Sequence, residues 1–196
     1  MENRTDKNTY TLLFAVAMVV LVGALLAFTS STLAPNIKTN KELEKQQNIL
    51  YAMGVNENDE SSAVFVSTDR VESLFKEYIT KQLEVQGGAV KENDQAFLID
   101  VKKEQANSKS GKVRKLPVFI GEKDGKTFYV APIRGKGLWD AIWGYIALKS
   151  DINTIQGAVF DHKAETAGLG AEITQQWFMD RFREEKVFDS NGQLVG

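Results

Sequence analysis

The chain has 196 residues, 43% of them hydrophobic, with 24 basic against 26 acidic side chains and a formal charge of −2. That is enough apolar material for one packed domain with a small appendage, and too much for a disordered chain. The interspersed, near-neutral charge leaves no electrostatic footprint for nucleic acid, and the absence of cysteine excludes disulfides, thiolate metal sites and a cysteine nucleophile.

The first strong feature is LLFAVAMVVLVGALLAF, Leu12 to Phe28, with no charged or strongly polar side chain. A helix from Tyr10 to Thr32 would be roughly 34 Å long, against a hydrocarbon core of about 30 Å. An uncleaved membrane anchor is expected. The apolar run exceeds a signal-peptide core, although Thr32 and Ala34 would suit a weak cleavage site; a buried core helix is the other alternative. Arg4 and Lys7 precede the segment and Lys38, Lys41 and Lys45 follow it, so the basic flanks do not decide its orientation.

Beyond Pro35, NKELEKQQNILYAMG places Leu43, Gln47, Leu50 and Met53 on one stripe, which predicts a membrane-proximal helix capped by Asn40 and stopped by Gly54. DRVESLFKEYITKQLEVQGG predicts a second amphipathic helix. Asp69 and Glu72 would form its capping box, and Gly87-Gly88 would end it. The period then changes. QAFLIDVK, LPVFIG and KTFYVAPIRG are expected to be strands, with Phe97, Ile99 and Val101 alternating and Asp124-Gly125 turning the hairpin between the last two. Between the first two of these, KKEQANSKSGKVRK is expected to be a solvated loop. Ile142–Leu148 and Ile155–Phe160 predict another hairpin around the polar turn Lys149 to Asn153. TQQWFMDRFREE predicts a helix from a Thr174 cap with Trp177, Phe178 and Phe182 inward, and DSNG a turn. Helices followed by strands and a further helix make the fold class α+β.

The chemistry centres on HKAETAGLGAEI, which carries the only histidine. One histidine cannot build a multi-histidine metal site, and no HExxH arrangement, serine elbow or P-loop occurs. His162 with Glu165 could form an acid–base pair. Gly168-Leu169-Gly170 lacks the third glycine of a dinucleotide fingerprint and reads as a tight turn. Against that bland reading, RGKGLW and ETAGLG lie at the ends of neighbouring predicted strands, where glycine lets backbone amides approach a ligand and Trp139 and Leu169 offer surface to a flat ring. From the residues alone, a turn and a planar-cofactor pocket both stay open.

In this block the sequence RGKGLWDAIWGYIALKSDINTIQGAVFDHKAETAGLGAEI resembles the FMN-binding-domain family, in particular the C subunit of sodium-translocating NADH:quinone reductases, with the Rnf complex G subunit as a further relative. NTYTLLFA, FTSSTLAPN and KQQNIL extend the likeness to nearly the whole chain, while Ala167 stands where the family often has proline. The resemblance implies a flavoprotein subunit on one transmembrane helix in a bacterial inner membrane, its soluble domain periplasmic. Such a subunit relays single electrons between partner subunits from NADH towards quinone while the complex exports sodium. It implies FMN lying against Glu165, Thr166, Gly168, Leu169 and Gly170 of one turn and Gly137, Leu138 and Trp139 of the other. His162 would position the loop, and no protein acid or base or metal would be needed. Amides of the glycine turns are expected to stabilise the negative charge of reduced flavin.

The resemblance also implies FMN joined by a phosphoester to a threonine in a Ser-Gly-Ala-Thr motif. No such segment occurs up to Gly196. The expectation is therefore a fragment whose continuation carries that threonine, and Thr166 does not take its role. The implied organisation is a cytoplasmic N-terminus and anchor over residues 1–34, a membrane-proximal helical region over 35–90, and an FMN-binding-type domain over 91–196 lacking its C-terminal end. The alternatives are a flavin-free, membrane-anchored scaffold protein or the Rnf protein.

Overall fold

The computed structural model describes residues 8–58 and 62–195, so the basic residues Arg4 and Lys7 lie outside it. The chain divides into two compact units, Met1–Glu42 and Leu43–Gly196.

The first unit is the N-terminal part of helix α1 (Asn8–Ala52). Every described residue up to Lys41 is exposed, including Val19 at 72% and Phe28 at 71%. The helix is long and apolar enough to cross a membrane, and none of its apolar window is buried in protein. An apolar helix turned wholly outward is not a core helix; its length and composition suit a membrane anchor. Thr29 and Thr32 donate their hydroxyls to the carbonyls of Leu25 and Phe28, one turn back, so neither brings an unsatisfied donor into the apolar run. Pro35 lies inside α1, and Asn40 is an interior residue rather than the N-cap of a separate helix. Proline removes one backbone donor and costs about 3 kcal/mol in a helix interior. The strong helix formers after it, in KELEKQQ, carry the helix through.

In the second unit the last turns of α1 form one wall of the core. Ile49, Leu50, Ala52 and Met53 are fully buried, and Leu43 packs beside them. Gly54 (φ 83°) ends the helix: its N–H donates to Tyr51 O, and that of Val55 donates to Leu50 O. This paired arrangement satisfies two terminal carbonyls, and the left-handed backbone it needs favours glycine.

Helix α2 (Val71–Tyr78) is followed immediately by strand β1 (Ile79–Gln86). The expected long amphipathic helix therefore stops halfway, and its Asp69–Glu72 box does not form, because Arg70 occupies the N-cap without a side-chain cap bond. ITKQLEVQ carries β-branched residues at positions 79, 80 and 85 and pairs with strands on both sides. Gly87-Gly88 (φ 58° and 85°) then forms the two-residue turn to β2 (Ala89–Glu92).

QAFLIDVK is not a strand. Ala96–Leu98 form a 3₁₀ turn, and α3 (Val101–Lys109) occupies much of the expected loop. Asp100 decides this locally, its carboxylate accepting from the amides of Lys102 and Lys103 as an N-cap. Phe97 contributes to the core through edge-on contacts with Phe75 and Phe119.

The remaining strands are β3 (Lys115–Lys123), β4 (Lys126–Lys136), β5 (Ala141–Leu148) and β6 (Ile155–His162), with Asp124-Gly125 at the first hairpin as expected. All pair antiparallel, and the sheet order is β2-β1-β3-β4-β5-β6. One face, with Phe119, Phe128, Val130, Tyr145, Ala147 and Val159, packs against the last turns of α1 and against α2. The fold is α+β, an antiparallel sheet with flanking helices.

After β6 the expected long helix is broken into a 3₁₀ turn (Gly170–Thr174), the single turn α4 (Gln176–Met179) and a second 3₁₀ turn (Asp180–Phe182). Thr174 does not cap; its hydroxyl donates to Ala171 O. Phe178 and Phe182 close on Phe160 as expected, while Met179 is the buried residue and Trp177 is 54% exposed. Successive short turns hold the backbone against the edge of β6, with Ile155 exchanging hydrogen bonds with Glu184 and Glu185. A straight helix could not provide those bonds. Asp189–Gly192 is a turn, closed by Asp189 on the amides of Asn191 and Gln193.

Candidate functional site

Strand β5 pairs with β4 on one side and β6 on the other. The β4–β5 turn, Gly137 to Asp140, and the segment leaving β6 therefore emerge at the same end of the sheet. This adjacency brings Gly137 and Trp139 of the first segment against Glu165 and Thr166 of the second, with Gly170 beside Glu165; Leu138, Gly168 and Leu169, also proposed for the flavin, lie on the same two segments.

Side-chain hydrogen bonds join the two segments. Glu165 Oε1 accepts from the backbone N–H of Trp139 at 3.1 Å and of Asp140 at 3.4 Å. The Trp139 indole donates to Thr166 Oγ1 at 3.1 Å, fixing the ring. Lys163 pairs with Asp140 at 2.6 Å, and its own N–H donates to Ala141 O. The Lys163 ammonium and the Ala141 amide both favour the ionised form of Asp140, holding its carboxyl below the usual range. Asp140 and Lys163 had no signal in the sequence beyond their charge, since their pairing depends on the β5–β6 register.

Two glycines explain how the carboxylate fits. A Cβ on Gly137 would lie 2.3 Å from Glu165 Oε1, and one on Gly170 would lie 2.7 Å from Oε2. The carboxylate of Glu165 is thus flanked by bare backbone on two sides. His162 Nδ1 accepts from the Glu165 N–H at 3.2 Å, which directs the chain into this turn. The imidazole meets the backbone of Glu165 and not its carboxylate, so the acid–base pairing does not form.

The glycine-rich segment is also the tight turn that its composition suggested. Leu169 N and Ala171 N donate to Thr166 O, Gly168 N donates to Glu172 Oε1, and Gly168 has φ 76°. These amides, with those of Trp139 and Asp140, are engaged by protein acceptors. The expectation that they face a reduced flavin is corrected for these five: carboxylates and carbonyls of the turns already occupy them. The apolar side chains face outward instead, with Leu138 79%, Trp139 66% and Leu169 72% exposed. These two segments therefore present apolar side chains to solvent at this end of the sheet. A flat, amphipathic ring suits it: the shelf is apolar, and among the described residues no cluster of metal-ligating side chains competes for it. The residues present thus fit an isoalloxazine.

The model of the FMN-binding domain matches residues 137–194, beginning at the first of these turns and spanning the second. The fold and site thus define an FMN-binding-domain protein behind an apolar N-terminal helix. The C subunit of the Na(+)-translocating NADH-quinone reductase from Pseudomonas aeruginosa is 29% identical over 97% of this chain and 77% of that relative; its Haemophilus ducreyi counterpart is 29% identical over 97% and 76%. Among solved structures, the C subunit of the reductase from Parabacteroides distasonis is 36% identical and superposes with a TM-score of 0.69, covering 84% of this chain and 74% of that one. NqrC from Shewanella oneidensis is 26% identical, with a TM-score of 0.64 over 79% and 75%. The chain belongs to the NqrC family, the C subunits of the sodium-translocating NADH-quinone reductases.

Proposed function

We propose that this chain is the FMN-carrying electron-transfer subunit of a sodium-translocating NADH:quinone reductase. The observation that carries the reading is the pair of clasped turns presenting Leu138, Trp139 and Leu169 within the match to the FMN-binding domain. FMN, when bound, supplies electron-accepting chemistry, and the protein supplies position. Leu138, Trp139 and Leu169 offer the ring an apolar shelf, and Thr166 keeps the Trp139 indole from turning away. Gly137, Glu165, Gly168 and Gly170 shape the backbone beneath it. The openness of the shelf suits exchange of electrons with another protein, because a partner can reach the ring without rearranging the domain.

The same reading places the Leu12–Phe28 stretch in a bacterial inner membrane, with the sheet domain in the periplasm and the chain assembled with the other subunits of the complex. Covalent attachment of FMN through a threonine belongs to this proposal. The test is purification of the native complex, followed by its flavin absorption spectrum and the intact mass of this protein. An FMN-sized mass increment on it supports the reading. A complex that assembles around the flavin-free protein overturns it in favour of a scaffold.

A further inference from the structure

The geometry points to Glu165 as a positioning residue that never touches the flavin: its carboxylate clasps the 137–140 turn to the 165–170 turn and so sets the spacing of the shelf. This rests on FMN occupying that shelf, and it changes the part Glu165 plays there. A residue lying against the ring would direct its carboxylate outward, to the exposed surface. The carboxylate instead accepts from the Trp139 and Asp140 amides. Its two oxygens abut Gly137 and Gly170, whose missing side chains leave the room they occupy.

Four features make this arrangement more than an incidental loop contact. The bond is charge-assisted, and such bonds are roughly twice as strong as neutral ones. Its donor at position 139 belongs to the residue that supplies the aromatic surface, so losing the bond moves the shelf itself. His162 holds Glu165 from the other side through Nδ1. The chain continues past Glu165 directly into Thr166, the acceptor for the Trp139 indole, so one short segment anchors both the backbone and the ring of Trp139.

Gly170 provides a selective probe. The three nearest atoms to a Cβ placed there all belong to Glu165, at 2.7, 3.2 and 3.4 Å, and its φ is outside the left-handed region. An alanine at 170 is therefore hindered chiefly by the Glu165 side chain, whereas an alanine at 137 would also meet Ile142 at 2.9 Å. If the clasp operates, Gly170→Ala harms the wild-type background and is relieved when Glu165 is shortened. Two independent sites would show no such coupling.

The experiment uses the full chain in detergent, with added FMN as the probe, and compares Glu165→Ala, Glu165→Gln, Gly170→Ala and the Glu165→Ala/Gly170→Ala double variant. Hydrogen exchange at the Trp139 and Asp140 amides reads the clasp without flavin; quenching of flavin fluorescence reads affinity. Glu165→Ala is expected to speed exchange at both amides about tenfold or more and to weaken FMN by a similar factor, with Phe119 in the core still protected. Glu165→Gln, which retains an acceptor oxygen, should stay within about threefold of wild type on both readings. Gly170→Ala should weaken FMN in the wild-type background and cost less when added to Glu165→Ala, where only the Glu165 Cβ at 3.2 Å remains in its way. Unchanged exchange in Glu165→Ala, or an equal Gly170→Ala penalty in both backgrounds, overturns the clasp even if FMN binds. If the wild-type chain takes up no FMN while exchange responds as described, the clasp stands and the flavin reading fails.

Discussion

The core around Phe119 and the end of the sheet around Trp139 use similar residues in opposite ways. At the core, Phe119 is completely buried between Phe75 and Phe97, and Gly157 lets Ala52 O approach so closely that a Cβ would lie 2.7 Å away. At the sheet end, an aromatic residue again lies near close-packed glycine, here two of them, but the aromatic ring faces solvent and the glycines surround a carboxylate. Apolar burial holds the first region together; hydrogen bonds accepted by Glu165, Thr166 and Asp140 hold the second. A surface meant for a ligand cannot be rigid through its own hydrophobic burial, so its stiffness comes from polar contacts beneath it.

The largest test of that contrast is Phe119→Ala. It should cost about 3–5 kcal/mol of folding stability, measured by urea unfolding, because it empties a fully buried aromatic site. Next is Gly157→Ala, expected to cost about 1–3 kcal/mol, since the obstacle is backbone oxygen that cannot rotate aside. The same denaturation measurement checks it, and a neutral result would show that the last turn of α1 yields to the sheet more easily than its contacts indicate.

Acid should loosen both regions through different carboxylates. Burial raises the Glu84 carboxyl, but hydrogen bonds from Lys115, Asn93 and Lys91 together outweigh it, and the net position is below the usual range. Asp140 is lowered by Lys163 and the Ala141 amide. For both groups the folded pKa lies below the unfolded one, so their stabilisation is fully present above the unfolded value of about 4 and is lost as pH falls through the folded value. Glu84→Gln should flatten the acid limb of global unfolding, and Asp140→Asn that of Trp139 amide exchange. Glu84→Gln leaving the global acid limb as steep as in wild type would remove that carboxylate from the account.

The smallest stability effect is expected where the largest functional one falls. Leu169→Ala and Trp139→Phe should each change folding stability by no more than about 0.5 kcal/mol, because these side chains are already solvated. Both should weaken FMN measurably in a fluorescence titration. A large loss of stability from either would mean that the shelf contributes to the core, and the contrast between the regions would collapse.

Much of this molecule was legible in local sequence. The Leu12–Phe28 run, the Asp124-Gly125 hairpin, the β5–β6 hairpin and the Gly54 stop depend on composition or on one turn, and nothing distant had to agree with them. The halves of DRVESLFKEYITKQLEVQ were not separable in this way: Val71 to Tyr78 and Ile79 to Gln86 share a plausible helical stripe, and pairing with β2 and β3 makes the second half a strand. Asp100 did have a local signal as an N-cap, which the alternation of Phe97, Ile99 and Val101 obscured.

At the site, sequence by itself determined which residues gather: two glycine-containing turns at the ends of strands that neighbour a common partner, with Trp139 and Leu169 on them. Tertiary structure alone decided what each does. The reach of Glu165 back to the Trp139 amide spans 26 residues and depends on the β5–β6 register, and the outward face of Trp139 depends on the Thr166 hydroxyl. Local preference chooses turns and periods within a few residues, whereas the direction of a side chain is settled by whichever distant group satisfies its hydrogen bonds.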